Sequence, residues 1–423
     1  MMNRMMLWSL CVIAFLGIGP AEVRSQVWEV FDMNTAGLPS NTIMDMAFAE
    51  DGYLWVATDW GLCGYDGAQW TVFQTENSGL PGNWLRCVAV APDGKVWVGT
   101  DQHGVVIYDG VEWQVWSTLN SPLPADQVNR IVFDHRGWAW MGTVGGLACY
   151  TGTEWRVYND QPASWSGLVL NGNNIRDIAV RSDGLVTLAT LNGGFHFLTD
   201  TSVTVHATYI DFFPDNTGND VLLDTLNNER WLACPAGGLL KQIGDWYGGN
   251  WFQYTSFNSA LPSNSLNCLA LGPQNALWIG SQLNGLFRRD GVDEYTHYTV
   301  ANSGLPDNTV QRIIFDMDGD AWVGTFFGGV AHMDPVTAIE TPLPSGVGLR
   351  AFPNPSTDKV IISLQEMAVG HWELFDAGGR KVNEGVWPNG RQIVLDLNGH
   401  VQGVYYFKLR SDLGITMVTV LRG

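Results

Sequence analysis

Arg86, Arg130, Arg176 and Arg312 make up four of the twelve basic residues between Gln26 and Asp334, in a chain whose formal charge is -20. Each stands ten or eleven residues ahead of a Trp or Thr that heads a recurring phrase, and Asp45, Asp177 and Asp220 keep the same offset. Carboxylates and guanidiniums gathered at one level have several uses. The acids can exchange protons while the arginines neutralise an acidic sugar, which is lyase or hydrolase chemistry. Two carboxyls about 5 to 10 Å apart would favour hydrolysis. The same groups can instead line a polar binding mouth, or pair with one another and tie neighbouring repeats together. Adjacent strand positions such as Ile313 and Ile314 are apolar, so polar residues here are not filler.

Other chemical signals are sparse. No nucleophile elbow, HExxH, P-loop or dinucleotide fingerprint occurs, so no catalytic residue and no cofactor is assigned. Asp316-Met317-Asp318-Gly319-Asp320 resembles the start of a calcium loop, but no Glu follows at the twelfth position, and the segment reads as a hairpin turn rather than a metal site. The histidines at 103, 135, 196, 206, 297 and 332 lack metal-ligand spacing. Past residue 25, Cys63, Cys87, Cys149, Cys234 and Cys268 form an odd set without a CxxC pair, expected as small buried strand residues.

The elements that position these groups follow from a repeat. Aligned on one Trp, the phrase recurs at Trp55, Trp97, Trp140, a degenerate Thr187, Trp231, Trp278 and Trp322, at intervals of 42 to 47 residues. Its clearest copies are Asp93-Gly94-Lys95-Val96-Trp97-Val98-Gly99-Thr100 and Asp318-Gly319-Asp320-Ala321-Trp322-Val323-Gly324-Thr325, preceded by Gly79-Leu80-Pro81 and Gly304-Leu305-Pro306. Each copy divides into four short strands, with Asp-Gly hairpin signals at 51, 93, 183 and 318. A period of roughly 40 to 45 residues with four strands is the length of a propeller blade. The expected fold is all-β, a seven-bladed β-propeller over 26–334 followed by a small C-terminal β-sandwich. The last copy supplies only three strands. Val27-Trp28-Glu29-Val30-Phe31 matches the fourth-strand pattern and is expected to complete blade 7.

The Leu-Pro-Ser-Asn and Asp-Gly-x-Leu-Trp-Val-Ala-Thr phrases resemble the two-component regulator propeller repeat. In that family the propeller is commonly the periplasmic sensor half of a hybrid histidine kinase. This sequence shows no kinase region and one set of seven repeats, so the resemblance implies a propeller that binds a ligand or partner rather than a signalling enzyme.

Both ends carry export signals. Residues 1–25 read as a cleaved signal peptide, with Arg4, an apolar run from Leu7 to Ile18, and small residues before Gln26. That run is too short to span a bilayer, and no transmembrane segment is expected. After a Pro- and Gly-rich linker at 335–349, residues 350–423 read as short strands. Phe352-Pro353-Asn354-Pro355-Ser356, Glu373-Leu374-Phe375-Asp376 with Gly379-Arg380-Lys381-Val382, and Gly403-Val404-Tyr405-Tyr406-Phe407-Lys408-Leu409 resemble the type A sorting domain of type IX secretion substrates. The resemblance implies the type IX machinery as a partner, a Bacteroidota-type envelope, and passage through the periplasm to the outside or the outer-membrane surface.

Chain direction gathers the remaining candidates. In each blade the turn between strands two and three returns to the face where the innermost strand begins. Those turns hold Trp60, His103, Phe326 and Phe327, and Trp84 opens blade 2. Together with Asp45, Arg86, Arg130, Arg176, Asp177 and Arg312 they form the expected ligand-binding set. Exposed aromatics beside charged hydrogen-bonding groups suit a sugar face or a peptide anchor. A pI near 4.6 excludes nucleic acid and anionic membrane as general partners. The leading expectation is a binding or display protein for glycan or peptide, with a polysaccharide lyase or hydrolase and an adhesive scaffold as alternatives. A scaffold predicts a flat face without a pocket.

Overall fold

A computed structural model describes residues 28–161, 168–199, 202–207, 213–243, 250–291, 293–333, 349–352, 359–376, 381–399, 403–411 and 414–422. The expected signal peptide and nearly all of the expected linker lie outside them.

Each repeat folds because its phrase solves a local hydrogen-bonding problem. In blade 2 the strand Val96–Thr100 ends on Thr100, whose hydroxyl donates to the Gly104 carbonyl at 2.9 Å and accepts the His103 amide at 2.8 Å. The turn thus leaves its buried polar groups satisfied. The same hydroxyl-to-glycine bond forms at Thr58, Thr143, Thr190, Ser281 and Thr325. At the other end of the blade, the Asp-Gly hairpins place Gly52, Gly94, Gly184 and Gly319 at φ between 82 and 91°. Seven four-stranded antiparallel sheets result, and the all-β propeller expected from the repeat is the fold found. Innermost strands of consecutive blades pack side by side, and Ile43–Phe48 of blade 1 meets Val310–Phe315 of blade 7, which closes the ring.

Blade 7 is composite. Trp28–Phe31 pairs antiparallel with Val330–Met333, bringing Phe31 opposite Val330 and Trp28 opposite Met333. Gly329, at φ +80°, precedes this pairing, and a Cβ there would lie 2.2 Å from the Phe31 carbonyl oxygen. Only glycine fits.

The apolar core is divided into wedges between blades. Trp55 packs with Leu85 and Val88 of blade 2, Trp97 with Val128 and Ile131 of blade 3, and Trp322 with Ile43 and Met46 of blade 1. Blade 4 has Thr187 in place of this Trp. Its cross-strand partner Phe197 supplies the missing ring, with the Arg230 guanidinium 3.9 Å above it. All five described cysteines are buried.

The C-terminal domain forms separately around Val360, Ile362, Leu374, Trp387, Tyr405 and Phe407. Its strands are Arg350–Phe352, Lys359–Asp376, Lys381–Asp396, Gly403–Ser411 and Gly414–Arg422. The segments expected as two strands at 360–364 and 371–375 belong to one strand with a register break between Ser363 and Ala368. Lys381–Asp396 pairs along both halves, which makes them continuous. The first half pairs with Arg350–Phe352 and the second with Gly403–Ser411. Arg350–Phe352 also lies against Gly414–Arg422 without pairing to it, so the bent sheet closes over its core as a small sandwich.

Candidate functional site

A regular strand sends consecutive residues to opposite faces. The innermost strands depart from this in six blades, where the register slips by one residue between positions such as Ile43 and Asp45. A bulge of this kind re-aims a side chain. Met44 and Asp45, Asn129 and Arg130, and Arg176 and Asp177 are therefore consecutive pairs that both line the channel. Blade 5 has no slip, and Asn219 and Asp220 fill the two places. Asp220 stands eleven residues ahead of Trp231, where Asp45 and Asp177 stand ten ahead of Trp55 and Thr187, and the residue at ten in blade 5 is Val221. Val221 is buried between blades.

The paired positions build two levels. Asp45, 2% exposed, is the hub of the lower one. Its carboxylate lies 3.0 Å from Arg130 and 2.9 Å from Arg312, and it accepts the amides of Met46 at 2.9 Å and Val88 at 3.1 Å. Arg130 also reaches Asp177 at 2.8 Å, and Arg312 stands 3.8 Å from Asp220. Asp177 and Asp220 accept amides from the next blade, those of Val221 at 2.9 Å and Leu269 at 2.8 Å. The acids thus join neighbouring blades. Burial, together with Asp177 beside it, holds the Asp220 carboxyl well above the usual carboxylate range. Burial, and secondarily Asp45, pushes the Cys87 thiol in this level up to about 12.

The upper level opens to solvent. Arg86 pairs with Asp101 at 2.5 Å and reaches Asn129 at 3.5 Å. Arg176 is exposed and donates to the Asn219 side chain at 2.6 Å. Asn129, Asn219 and Asn267 each donate to a backbone carbonyl of the next blade, at 2.8, 2.7 and 3.0 Å, which fixes their orientation. Together the levels enclose a cavity of about 320 Å³. Six of the eleven candidates from the sequence meet there: Asp45, Arg86, Arg130, Arg176, Asp177 and Arg312.

The other five do not line the cavity but stand in loops of the same face. Trp60, Trp84 and Phe327 are 60%, 54% and 69% exposed. Phe326 is half-buried and meets Phe327 edge-on at 4.5 Å, and His103 is exposed against Gly82. Sequence reasoning missed Leu283, 72% exposed in the equivalent turn of blade 6. Blades 6, 7, 1 and 2 thus carry an arc of large apolar side chains beside the mouth. It also missed Asp101 and the role of the asparagines, for which the signal was their recurrence one residue ahead of the arginine level.

The calcium-loop-like segment is a hairpin. Asp316 accepts the amides of Asp318 at 3.0 Å and Asp320 at 2.8 Å and the Trp322 indole at 3.0 Å. His332 stacks on Trp322 and lies 3.3 Å from Asp320. Lys241 and Arg288 take the equivalent place over Trp231 and Trp278, so this position holds a basic side chain in blades 5, 6 and 7. Burial opposes charge on His332, but Asp320, Asp316 and Glu29 outweigh it and raise its pKa. A raised folded-state pKa stabilises below the ordinary histidine value of about 6.5, and this contribution is lost as pH rises through the folded value. His332→Arg is expected to remove the part of the fall in Tm between pH 5.5 and 8.5 that comes from this site. An unchanged slope in paired thermal melts would refute the assignment.

Comparison with known proteins places these features. Two segments of blades 1 and 2 and one of blade 7, residues 37–60, 79–102 and 304–327, match the two component regulator propeller, and residues 350–421 match the secretion system C-terminal sorting domain. Comparison with curated proteins gave no match. Among solved structures, the extracellular domain assigned to a hybrid two-component system of B. thetaiotaomicron superposes with a TM-score of 0.63 at 16% identity, over 94% of this chain and 57% of that one. PorZ, a surface component of the type-IX secretion system of Porphyromonas gingivalis, gives 0.56 at 16% over 90% and 59%. Virginiamycin B lyase from Staphylococcus aureus gives 0.57 at 12% over 74% and 100%. The chain spans less than three fifths of the first two, and at these identities the likeness concerns the fold. Among the described residues no helix is long and apolar enough to cross a membrane. The chain carries two-component-regulator propeller repeats and a secretion-system C-terminal sorting domain, which marks it for export to the cell surface or beyond.

Proposed function

We propose that the propeller is a glycan-binding module, exported through the periplasm by the type IX route and displayed at or released from the outer-membrane surface, with its ligand on the channel-mouth face. The observation that carries this reading is the pairing of an open polar cavity with the arc of Trp60, Trp84, Phe327 and Leu283 beside it. Sugars present apolar ring faces and hydroxyl edges, and aromatic side chains with fixed carboxamides serve both. A scaffold would give a flat face. The lyase or hydrolase reading draws on Asp45, Asp177 and Asp220, yet each is already engaged by an arginine and an adjoining blade.

The test is a glycan and peptide array probed with the purified chain and with Trp60→Ala/Trp84→Ala. Glycan binding weakened on the order of 10-fold or more by the double substitution is expected. Binding to nothing, accompanied by turnover of a polysaccharide, would overturn the reading.

A further inference from the structure

Charge is distributed against the grain of the molecule at the mouth. The chain is strongly acidic overall, but the cavity lining holds four arginines and three aspartates. Three of those arginines are paired, Arg86 with Asp101 and Arg130 and Arg312 with the lower aspartates. Arg176 differs from them. Among the described residues no carboxylate lies within ion-pair distance of it, and one terminal nitrogen donates a hydrogen bond to Asn219. A guanidinium carries five donors in a planar fork that matches a carboxylate in bidentate fashion. Arg176 is exposed and lines the cavity together with Asn174 and Gln311. Its surroundings disfavour a bare charge, since partial burial and the nearby Arg86 both depress its pKa. An incoming anion would offset the repulsion from Arg86.

We infer that the mouth binds a carboxylate-bearing sugar, a uronic acid residue of an oligosaccharide, with Arg176 receiving the carboxylate and the neighbouring carboxamides receiving the hydroxyls. This rests on the binding reading above and adds the ligand's charge and class. A sugar fits the site better than a peptide terminus. The mouth is ringed by Asn129, Asn174, Asn219 and Asn267, groups that both donate and accept, and its volume is at the small end of the roughly 300 to 1,000 Å³ typical of ligand pockets. Trp60 and Trp84 offer exposed ring faces to the adjoining sugar units.

Oligosaccharides of galacturonate, glucuronate and mannuronate, each as free acid and as methyl ester, are titrated calorimetrically into the wild-type chain, Arg176→Gln and Arg176→Lys. An acidic peptide serves as a further arm. Esterification removes the charge and keeps the sugar. The wild type is expected to prefer one free acid over its ester by on the order of 10-fold or more, and to lose that preference in Arg176→Gln. Arg176→Lys is expected to retain part of it, and all three proteins to melt alike because Arg176 is exposed. Acid and ester binding equally well, with Trp60→Ala/Trp84→Ala still weakening both, would overturn the anionic assignment while leaving the glycan face standing. Failure of every uronide to bind would overturn it as well. Arg176-dependent binding of the peptide alone would overturn the sugar class.

Discussion

Asp45→Ala is expected to lower stability by about 3 to 5 kcal/mol, the cost of breaking a buried ion pair from one side. Asp45 touches Arg130 and Arg312 at once and also accepts the Val88 amide of the next blade. Its removal leaves Arg130 with Asp177 alone and Arg312 with only Asp220 at 3.8 Å. Burial and the neighbouring Asp177 raise the pKa of that Asp220 carboxyl, which weakens it as a partner for Arg312. The fall in Tm should be on the order of 10 °C. Gln311→Ala, at the open level of the same channel, serves as a control and should change Tm little. Equal effects from the two substitutions would mean that the lower level does not hold the blades together.

Phe31→Ala should have an effect of similar size, about 3 to 5 kcal/mol. Phe31 stacks on Trp322 at 5.7 Å and meets Tyr65 and Trp70 at 5.3 and 5.4 Å, so one side chain joins blade 7 to blade 1. Deleting residues 28–31 goes further, since it strips the partner strand from Val330–Met333 and leaves that buried strand as the edge of the sheet. Open edges recruit other chains. The deleted protein is expected to aggregate and to be cleaved rapidly in blade 7, read by light scattering and limited proteolysis. A monomeric, protease-resistant product would show that the ring closes without its N-terminal strand.

Much of this architecture was legible because the repeat phrase encodes it. The Trp, the Thr-to-Gly turn and the Asp-Gly hairpin recur at fixed offsets, and each corresponds to a wedge, a satisfied turn or a positive φ. What failed to show itself was anything that depends on register rather than spacing. Asp220 stands eleven residues ahead of its Trp rather than ten, and nothing in the sequence announces that the blade 5 strand lacks a bulge. Thr187 seemed a gap, although Phe197 across the strand pair fills it. The arginines were visible as a recurrence, but which of them was free was not. Arg86 and Arg176 occupy equivalent positions, and only Asp101, fifteen residues from Arg86, distinguishes them.

Hydrogen–deuterium exchange with an array-selected glycan tests the central claim most directly, that the ligand sits on the channel-mouth face. Protection is predicted in the turns at 59–60, 102–104, 282–285 and 326–329, in the segment 82–86, and around Arg176, with the C-terminal domain unchanged. Protection confined to the opposite hairpins at 51–52, 93–94 and 318–319, or to residues 350–422, would contradict the account.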